Sequence, residues 1–161
     1  MSYIENNNLD DESTLKDRYL TFHLANDILA IDIKYVTEII GMQAITKVPK
    51  VMDFVEGVIN LRGKIIPVIN VRTKFNVEKI DFNYQTNIII VNYKETIVGL
   101  IIDDVDEVLT IPQENISAYN PEKKAVKTEQ DNYITGVAKV NNEVKLIVSC
   151  KKILDCDNKT I

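Results

Sequence analysis

Two apolar runs meet at a turn between positions 57 and 71 of the chain. The segment reads GVINLRGKIIPVINV, and β-branched residues dominate on both sides of Arg62-Gly63-Lys64. Two such runs around a short turn that contains glycine predict a β-hairpin. Packing does not require an arginine at the hairpin tip, so Arg62 is the first candidate for recognition of a partner.

The same alternation of apolar and polar residues predicts a hairpin near the start of the chain. Residues 18–24, RYLTFHL, place leucine and phenylalanine on one face and Tyr19, Thr21 and His23 on the other. This pattern indicates a half-buried strand. A turn at Asn26-Asp27 then leads to a return strand over residues 28–33.

Two further segments are less regular. Residues 34–41, KYVTEIIG, fit either a helical turn or a strand, and their β-branched content favours the strand. Residues 49–55 carry apolar side chains at helical spacing after Pro49, and Gly57 follows, which predicts a short helix.

The second half of the chain continues the β pattern. The segments NIIIVN and IVGLII contain continuous apolar runs, so both faces of each predicted strand are apolar. Such strands are either buried on both faces or have one face in a docking surface. The predicted elements are a turn of helix or loop at 72–77, a polar connection at 78–85, strands at 87–92, 97–102 and 108–111, a solvated acidic strand end at 103–107, a long connection at 113–132, a hairpin at 134–140 and 144–148, and a helix from Cys150 to about Asp155 capped by Ser149.

About nine or ten short strands with little helix predict an all-β sandwich or small barrels. The 161 residues are 45% hydrophobic and 27% charged, which suits one domain or two small subdomains with a shared core. The Asn-rich residues 1–17 predict a flexible tail, the ordered domain is expected at 18–155, and a short tail at 156–161.

Composition excludes several classes of function. A net charge of −5 without a basic patch disfavours nucleic-acid binding. No run approaches the roughly 18 apolar residues of a membrane span, and the acidic N-terminus is no signal peptide, so no membrane insertion and a cytoplasmic location are expected. Cys150 and Cys156 are too few for a disulfide framework and are expected to be reduced thiols.

Catalytic patterns are also missing from the sequence. It has no G-x-S-x-G, P-loop or G-x-G-x-x-G motif, and its single histidine, His23, has no candidate triad partner. The acidic stretch 103–107 lacks the ligand spacing of a calcium loop. We therefore expect no catalytic residue, no metal and no cofactor, and we interpret the chain as a module that binds proteins.

The order of these segments resembles the CheW family, the coupling proteins of bacterial chemotaxis. The resemblance covers about residues 18–155, and its most specific part is GVINLRGKIIPV at 57–68. The other segments that match the family pattern are YLTF at 19–22, AIDI at 30–33, V-x-E-I at 36–39, VGLIID-x-V at 98–105 and ITG at 134–136. Asn70 departs from the family pattern, in which an aspartate is usual; we expect the lost charge to matter for structure rather than for function.

The resemblance implies an all-β fold of two packed SH3-like five-stranded barrels with short helices, and no enzymatic activity. It implies binding to the regulatory domain of the histidine kinase CheA and to the cytoplasmic tip of chemoreceptors, with other CheW-like domains as further partners in signalling arrays beneath the inner membrane. CheV and CheA also contain this module, but 161 residues leave no room for their additional domains, so a stand-alone protein is expected.

By the same resemblance, the receptor-side surface would be formed by Val36, Glu38, Ile39, Asn60, Leu61 and Arg62, with Val98 and Gly99 in a groove between the barrels. Arg62 and Glu38 either contact the partner or pair with each other, and the sequence leaves both open. Two alternative hypotheses are a CheW-like module of another chemosensory system and a small-barrel enzyme or ligand carrier. The latter would need a deep pocket with convergent polar groups.

Overall fold

A computed structural model of the protein describes residues 15–155. The predicted tails at 1–17 and 156–161 lie outside the described residues, apart from positions 15–17. These positions contact the fold: Leu15 packs against the largest core cluster, and the Asp17 carbonyl oxygen accepts a hydrogen bond of 2.8 Å from the Ile111 backbone N–H. Residues 15–17 are therefore part of the described fold.

The described residues form eleven β-strands. They are β1 (Arg18–Leu24), β2 (Asp27–Asp32), β3 (Val36–Gly41), β4 (Val55–Leu61), β5 (Lys64–Asn70), β6 (Asn87–Tyr93), β7 (Thr96–Ile102), β8 (Asp104–Thr110), β9 (Ile116–Ala118), β10 (Ile134–Val140) and β11 (Glu143–Val148). The predicted hairpins β1–β2, β4–β5, β6–β7 and β10–β11 are all present with antiparallel pairing.

Helices are few and short in this part of the chain. They are α1 (Val71–Lys74), α2 (Cys150–Leu154) and 3-10 turns at Ile33–Tyr35, Gln113–Asn115, Pro121–Lys123 and Glu129–Tyr133. The predicted C-terminal helix is confirmed together with its cap, because the Ser149 hydroxyl accepts a hydrogen bond of 3.1 Å from the Lys152 N–H.

The strands form two sheets, which confirms the predicted all-β fold of two subdomains. The six-stranded sheet has the order β8-β1-β2-β11-β10-β9, and the five-stranded sheet has the order β3-β6-β7-β5-β4. The pairs β2–β11 and β5–β7 are parallel, whereas the other pairs are antiparallel. The six-stranded sheet exceeds the expected five strands because β9 adds a short edge strand within the stretch interpreted as a connection.

The five-stranded sheet closes on itself through Thr46. The backbone of Thr46, in the connection after β3, exchanges two hydrogen bonds of 2.9 Å with Val58 in β4, at the far edge of the same sheet. Gly57 makes this approach possible: a Cβ built there would lie 2.2 Å from the Thr46 carbonyl oxygen. The closure brings β3 and the β4–β5 hairpin to the same side of the barrel.

The predicted helix at 49–55 is wrong. Residues in this segment form turns and bends, Lys50 has a left-handed φ of 63°, and Val55 already begins β4 opposite Ile69. A segment of this length gains little from helix formation alone, because nucleation is costly. Pairing with β5, which is distant in sequence, decides its conformation.

The predicted polar face of β1 is also largely wrong. Tyr19 is 6% exposed and Thr21 is fully buried, whereas His23 lies at the surface, 3.9 Å from Asp106. The Thr21 hydroxyl occupies a β-bulge between β1 and β8, where it donates to the Glu107 carbonyl oxygen at 2.9 Å and accepts from the Glu107 N–H at 3.1 Å. Residues 104–107 are thus part of a paired strand rather than a solvated strand end.

Three clusters of apolar side chains form the core. The largest draws on both sheets and both helices, as Phe22, Leu29, Ile89, Leu100 and Ile153 illustrate. A second cluster lies within the five-stranded barrel, and a third lies on the other face of the six-stranded sheet and includes Tyr19. The face of β1 that carries Tyr19 and Thr21 is buried because its own sheet and the 111–116 segment cover it.

Strand β7 is buried on both faces, as its continuous apolar run predicts. Val98 is fully buried in the cluster shared by the sheets, and Gly99 lies between the side chains of Val68, Ile88 and Ile90 inside the barrel. Both are interior residues of the chain, and their expected place in a groove between the barrels stays a prediction.

An ion pair joins the two subdomains at their rim. The Arg72 guanidinium donates two hydrogen bonds of 2.8 Å to the Asp103 carboxylate, and Asp103 also accepts one of 2.8 Å from the Ala25 N–H in the β1–β2 turn. Burial raises the pKa of Asp103, but the bonds from Arg72 and Ala25 outweigh burial and lower it. The arrangement connects α1, the β7–β8 turn and the β1–β2 hairpin.

The buried carboxylate of Asp131 holds the 119–131 segment. Asp131 accepts hydrogen bonds from the Tyr119 hydroxyl at 2.5 Å, the Thr128 N–H at 2.7 Å and the Lys124 ammonium at 2.9 Å. Burial raises the pKa of Asp131, but these donors outweigh burial and lower the pKa to about 2. The hydrogen bonds of Asp131 therefore fix the conformation of this long connection.

We predict that Gly99→Ala lowers the free energy of unfolding by about 1–3 kcal/mol, because the new Cβ would lie 2.7 Å from Ile88 Cγ2 and 2.9 Å from Val68 Cγ1. Gly41→Ala is the matched control, since a Cβ there has no neighbour within 4 Å. Urea denaturation measures both changes. Wild-type stability of the Gly99→Ala protein would contradict the interior position of Gly99.

We predict that Asp131→Asn costs about 2 kcal/mol at pH 7, since the pKa of this carboxyl is lower in the folded state than its ordinary value of 3.8. A lowered pKa gives stability that is present above the unfolded pKa and is lost as pH falls through the folded pKa. The difference from wild type should therefore shrink between about pH 4 and pH 2. Denaturation at pH 7 and pH 3 measures it, with the exposed Asp53→Asn as control; a pH-independent difference would count against this account.

Candidate functional site

The tip of the β4–β5 hairpin positions Arg62. Arg62 and Gly63 both have positive φ, 51° and 87°, as in the two-residue turns that match the twist of a hairpin. The Gly63 N–H donates a hydrogen bond of 2.9 Å to the Asn60 side-chain oxygen. This turn holds the backbone at the tip, while the Arg62 side chain remains 68% exposed.

Glu38 reaches Arg62 from strand β3, which lies at the opposite edge of the sheet and is brought close by the closure through Thr46. The Arg62 Nη2 donates a hydrogen bond to the Glu38 Oε2, and the Glu38 side chain is 28% exposed. A β-bulge at Thr37 shifts the register between β3 and β6, and the Thr37 hydroxyl bonds the Ile90 carbonyl oxygen at 3.1 Å. The sequence left open whether Arg62 and Glu38 contact a partner or pair with each other. In the free chain they pair with each other.

The other candidate residues divide between the surface and the interior. Ile39 and Asn60 are exposed, whereas Val36 is 5% and Leu61 is 9% exposed. Val36 belongs to the core shared by the sheets, and Leu61 belongs to the barrel interior. Val36 and Leu61, like Val98 and Gly99, can act on a partner through the backbone they support, but not through a free side chain.

One exposed apolar residue at this site was missed by sequence reasoning. Ile65 is 63% exposed and lies opposite Asn60 in the hairpin. The signal was present, because Ile65 and Ile66 are adjacent and only one of two adjacent strand residues can face the same interior. We call Glu38, Ile39, Asn60, Arg62 and Ile65 the tip surface; Glu38 is half-buried and the other four are exposed.

The tip surface carries one cation, one carboxylate, one amide and two apolar side chains. Among residues 15–155, no cluster of three or more His, Cys, Asp or Glu side chains could hold a metal ion. The same part of the chain contains no helix long and apolar enough to cross a membrane. Cys150 is a buried free thiol, and burial, then Asp32, raises its pKa to about 12.

Asn70, which departs from the family pattern, uses both its side-chain oxygen and its side-chain N–H in hydrogen bonds. It is 2% exposed and caps α1, where its side-chain oxygen accepts from the Arg72 N–H at 3.0 Å. Its side-chain N–H donates a bond of 2.8 Å to the Glu56 carboxylate, which Lys79 also contacts at 2.9 Å. Burial raises the pKa of Glu56, but the bonds from Lys79 and Asn70 outweigh burial and lower it.

Comparison with known proteins gives consistent matches over the described fold. The family model described as "CheW-like domain" matches residues 18–157. The chain is 31% identical to the chemotaxis protein CheW of Klebsiella aerogenes over 92% of this chain and 87% of that protein. It is 32% identical to the chemotaxis protein CheW of Bacillus subtilis, over 86% of this chain and 87% of that protein.

A solved structure gives the same result. The crystal structure of the scaffolding protein TtCheW from Thermoanaerobacter tengcongensis superposes with a TM-score of 0.79 at 32% identity. The superposition covers 90% of this chain and 97% of that one. The two-sheet architecture is therefore shared over almost the whole length of that protein.

We predict that Asn70→Asp destabilises the fold by about 1–3 kcal/mol at pH 7, because an aspartate would place a second buried carboxylate beside Glu56. The cap to α1 would be kept, so the loss isolates the contact with Glu56. The double variant Asn70→Asp with Glu56→Gln should recover most of the loss. Urea denaturation of both variants and of Glu56→Gln alone gives the coupling energy, and additive effects would contradict it.

Proposed function

The chain belongs to the CheW-like domain family, and we propose that it is a non-enzymatic adaptor that couples chemoreceptors to the histidine kinase CheA. The observation that carries the proposal is the match of the family model over residues 18–157. The relatives described above are two chemotaxis proteins and a scaffolding protein. The family and these relatives favour a binding role over a catalytic one.

The tip surface is the proposed contact for the receptor. The cytoplasmic tip of a chemoreceptor is helical, and a helix presents an apolar stripe flanked by polar side chains. Ile39 and Ile65 offer apolar area to such a stripe, while Arg62 and Glu38 offer opposite charges that fix its register. A planar guanidinium suits a carboxylate on the partner better than a lysine would.

Binding through Arg62 requires an exchange of partners. In the free chain the guanidinium bonds Glu38 at the surface, and an exposed pair of this kind contributes under about 1 kcal/mol to stability. A receptor carboxylate can therefore replace Glu38 as the partner of Arg62 at little cost in free energy. This requires that a cation or a hydrogen-bond donor of the receptor then bonds the Glu38 carboxylate. The buried residues Val36, Leu61, Val98 and Gly99 support this surface from beneath.

We propose that the kinase CheA binds to surfaces of the two barrels other than the tip surface. The regulatory domain of CheA is itself of the CheW type, and similar barrels can pack end to end, as can further CheW-like domains in an array. We place the assembly in the cytoplasm, beneath the inner membrane where receptor tips end. The same architecture would serve another chemosensory pathway, and the identity of co-purified receptors and kinase decides between the two.

We predict that Arg62→Ala weakens binding to a receptor cytoplasmic fragment about tenfold or more while binding to the CheA regulatory domain changes little, since the contact is local to the tip. Arg62→Lys should recover only part of the loss. Lys64→Ala is the matched control, because it removes an exposed cation from the same turn. Titration of the purified protein with each partner measures the effect.

The stability of the same variants separates a contact from a structural role. Arg62→Ala should unfold within about 1 kcal/mol of wild type, as expected for an exposed ion pair. Lost folding, or equal loss of both partners, would contradict the assignment of Arg62 as a receptor contact. In a cycle with Glu38→Ala, a larger coupling in binding than in unfolding would identify partner exchange.

A further inference from the structure

The connection between α1 and β6 exposes a row of large apolar side chains. Ile80 is 42% exposed, Phe82 is 38% exposed and Tyr84 is 94% exposed. They occupy every second position of the segment, with charged or polar residues at 79, 81 and 83, which is the spacing of one face of a strand. The row is distinct from the tip surface, because the seven residues of β5, or roughly 20–25 Å, separate the hairpin tip from α1.

Both ends of this segment are fixed by hydrogen bonds, whereas its middle has none. The Arg72 Nη1 donates a bond of 2.7 Å to the Glu78 carbonyl oxygen, and the Asn83 N–H donates one of 2.9 Å to the Thr86 hydroxyl oxygen. Among the described residues, no group bonds the backbone N–H or C=O groups of residues 79–82, and this stretch has no turn, no bend and no left-handed φ. An exposed backbone of this kind can pair with a strand of another molecule.

The charges on either side of Ile80 favour a second copy of this chain as the occupant. Two copies related by a twofold axis pair the same segment in antiparallel orientation. When Ile80 lies opposite Ile80 of the second copy, Lys79 of each copy lies opposite Asp81 of the other. Pairing centred on Asp81 would instead place two carboxylates opposite each other, which is unfavourable. The register centred on Ile80 therefore satisfies both the charges and the apolar row.

Both charged side chains can make these contacts. Asp81 is exposed and has no ion pair or hydrogen bond within residues 15–155. The Lys79 Nζ lies 2.9 Å from the Glu56 carboxylate, but the Lys79 side chain is 56% exposed. An ammonium has three donors, so Lys79 can bond Asp81 of the second copy without releasing Glu56.

We propose that residues 78–84 form a self-association surface, at which two copies of the chain pair these segments as antiparallel strands centred on Ile80. The segment is too short to bury the roughly 1,600 Å² of a standard interface, so the dimer belongs to the weak, transient class. This role is independent of the tip surface and of the proposed contact with the receptor.

Sedimentation velocity of the full chain, at concentrations up to about 1 mM, measures the self-association. Wild type should show a monomer–dimer equilibrium that depends on concentration. Asp81→Lys places lysines opposite lysines and should weaken the dimer about tenfold or more, without loss of folding, since Asp81 has no contact to lose. Glu95→Lys is the matched control, because it makes the same charge change in the exposed turn at the opposite end of β6.

A cysteine at the centre of the pair tests the register. In a Cys156→Ser background, Ile80→Cys places two thiols directly opposite each other, with Cα atoms about 4.5–5.5 Å apart, which a disulfide can span. Mild oxidation should therefore give a covalent dimer about tenfold faster than it does with Tyr84→Cys. Tyr84 is the more exposed position, but the same register places its two copies eight residues apart, or roughly 25 Å.

A monomer at the highest concentration, with Ile80→Cys linking no faster than Tyr84→Cys, would overturn the proposal. A dimer that Asp81→Lys does not weaken would contradict it as well, because the interface would then lie elsewhere. If the chain is monomeric and Asp81→Lys weakens binding to the CheA regulatory domain, the row is a kinase contact and not a self-association surface. Asp81→Lys should bind the receptor fragment as wild type does, so failure here is separable from failure of the adaptor role.

Discussion

The two sheets share one set of buried side chains, and this common core is the constraint on which the rest of the structure depends. Strands β6 and β7 send alternate side chains into the barrel interior and into the shared cluster. A strand committed on both faces cannot shift by one residue without exposing either set. The relative position of the subdomains is therefore determined by packing, and the Arg72–Asp103 pair closes the rim of the same interface.

The core also gives a physical basis for the binding role proposed for the tip surface. Arg62 and Glu38 extend from elements whose neighbours, Leu61 and Val36, are fixed in two different clusters. Moving either neighbour would cost several kcal/mol, whereas separating the exposed ion pair costs little. The backbone is rigid and the charged side chains are free to change partners, which is the combination that recognition of a charged helix requires.

Local signals predicted the parts of this fold that local interactions decide. The Arg62-Gly63 turn and the two-sided apolar run of β7 were readable because a tight turn and a strand each carry their own pattern. The 49–55 segment was misread since its pairing partner lies in β5. Tyr19 and Thr21 looked like a solvent face because nothing in RYLTFHL reveals that β8 and the 111–116 segment cover it.

The candidate site was partly predictable for the same reason. Arg62 could be singled out from its turn, but its pairing with Glu38 depends on barrel closure through Thr46 and Gly57, which no local pattern encodes. Ile65 was missed because the run KIIPVIN does not show which isoleucine faces out.

Polar side chains buried in the described chain complement the apolar core. Thr21, Asn70 and Asp131 each accept a hydrogen bond from a backbone N–H, that of Glu107, Arg72 and Thr128 respectively. They lie at a β-bulge, at a helix cap and in a connection, where strand pairing alone leaves backbone N–H groups without a partner. Lys74 is 5% exposed and lies against the rings of Phe54 and Tyr133, which stabilise a cation from its sides. The irregular segments between the strands are therefore held by specific polar contacts, whereas the strands are held by pairing and apolar packing.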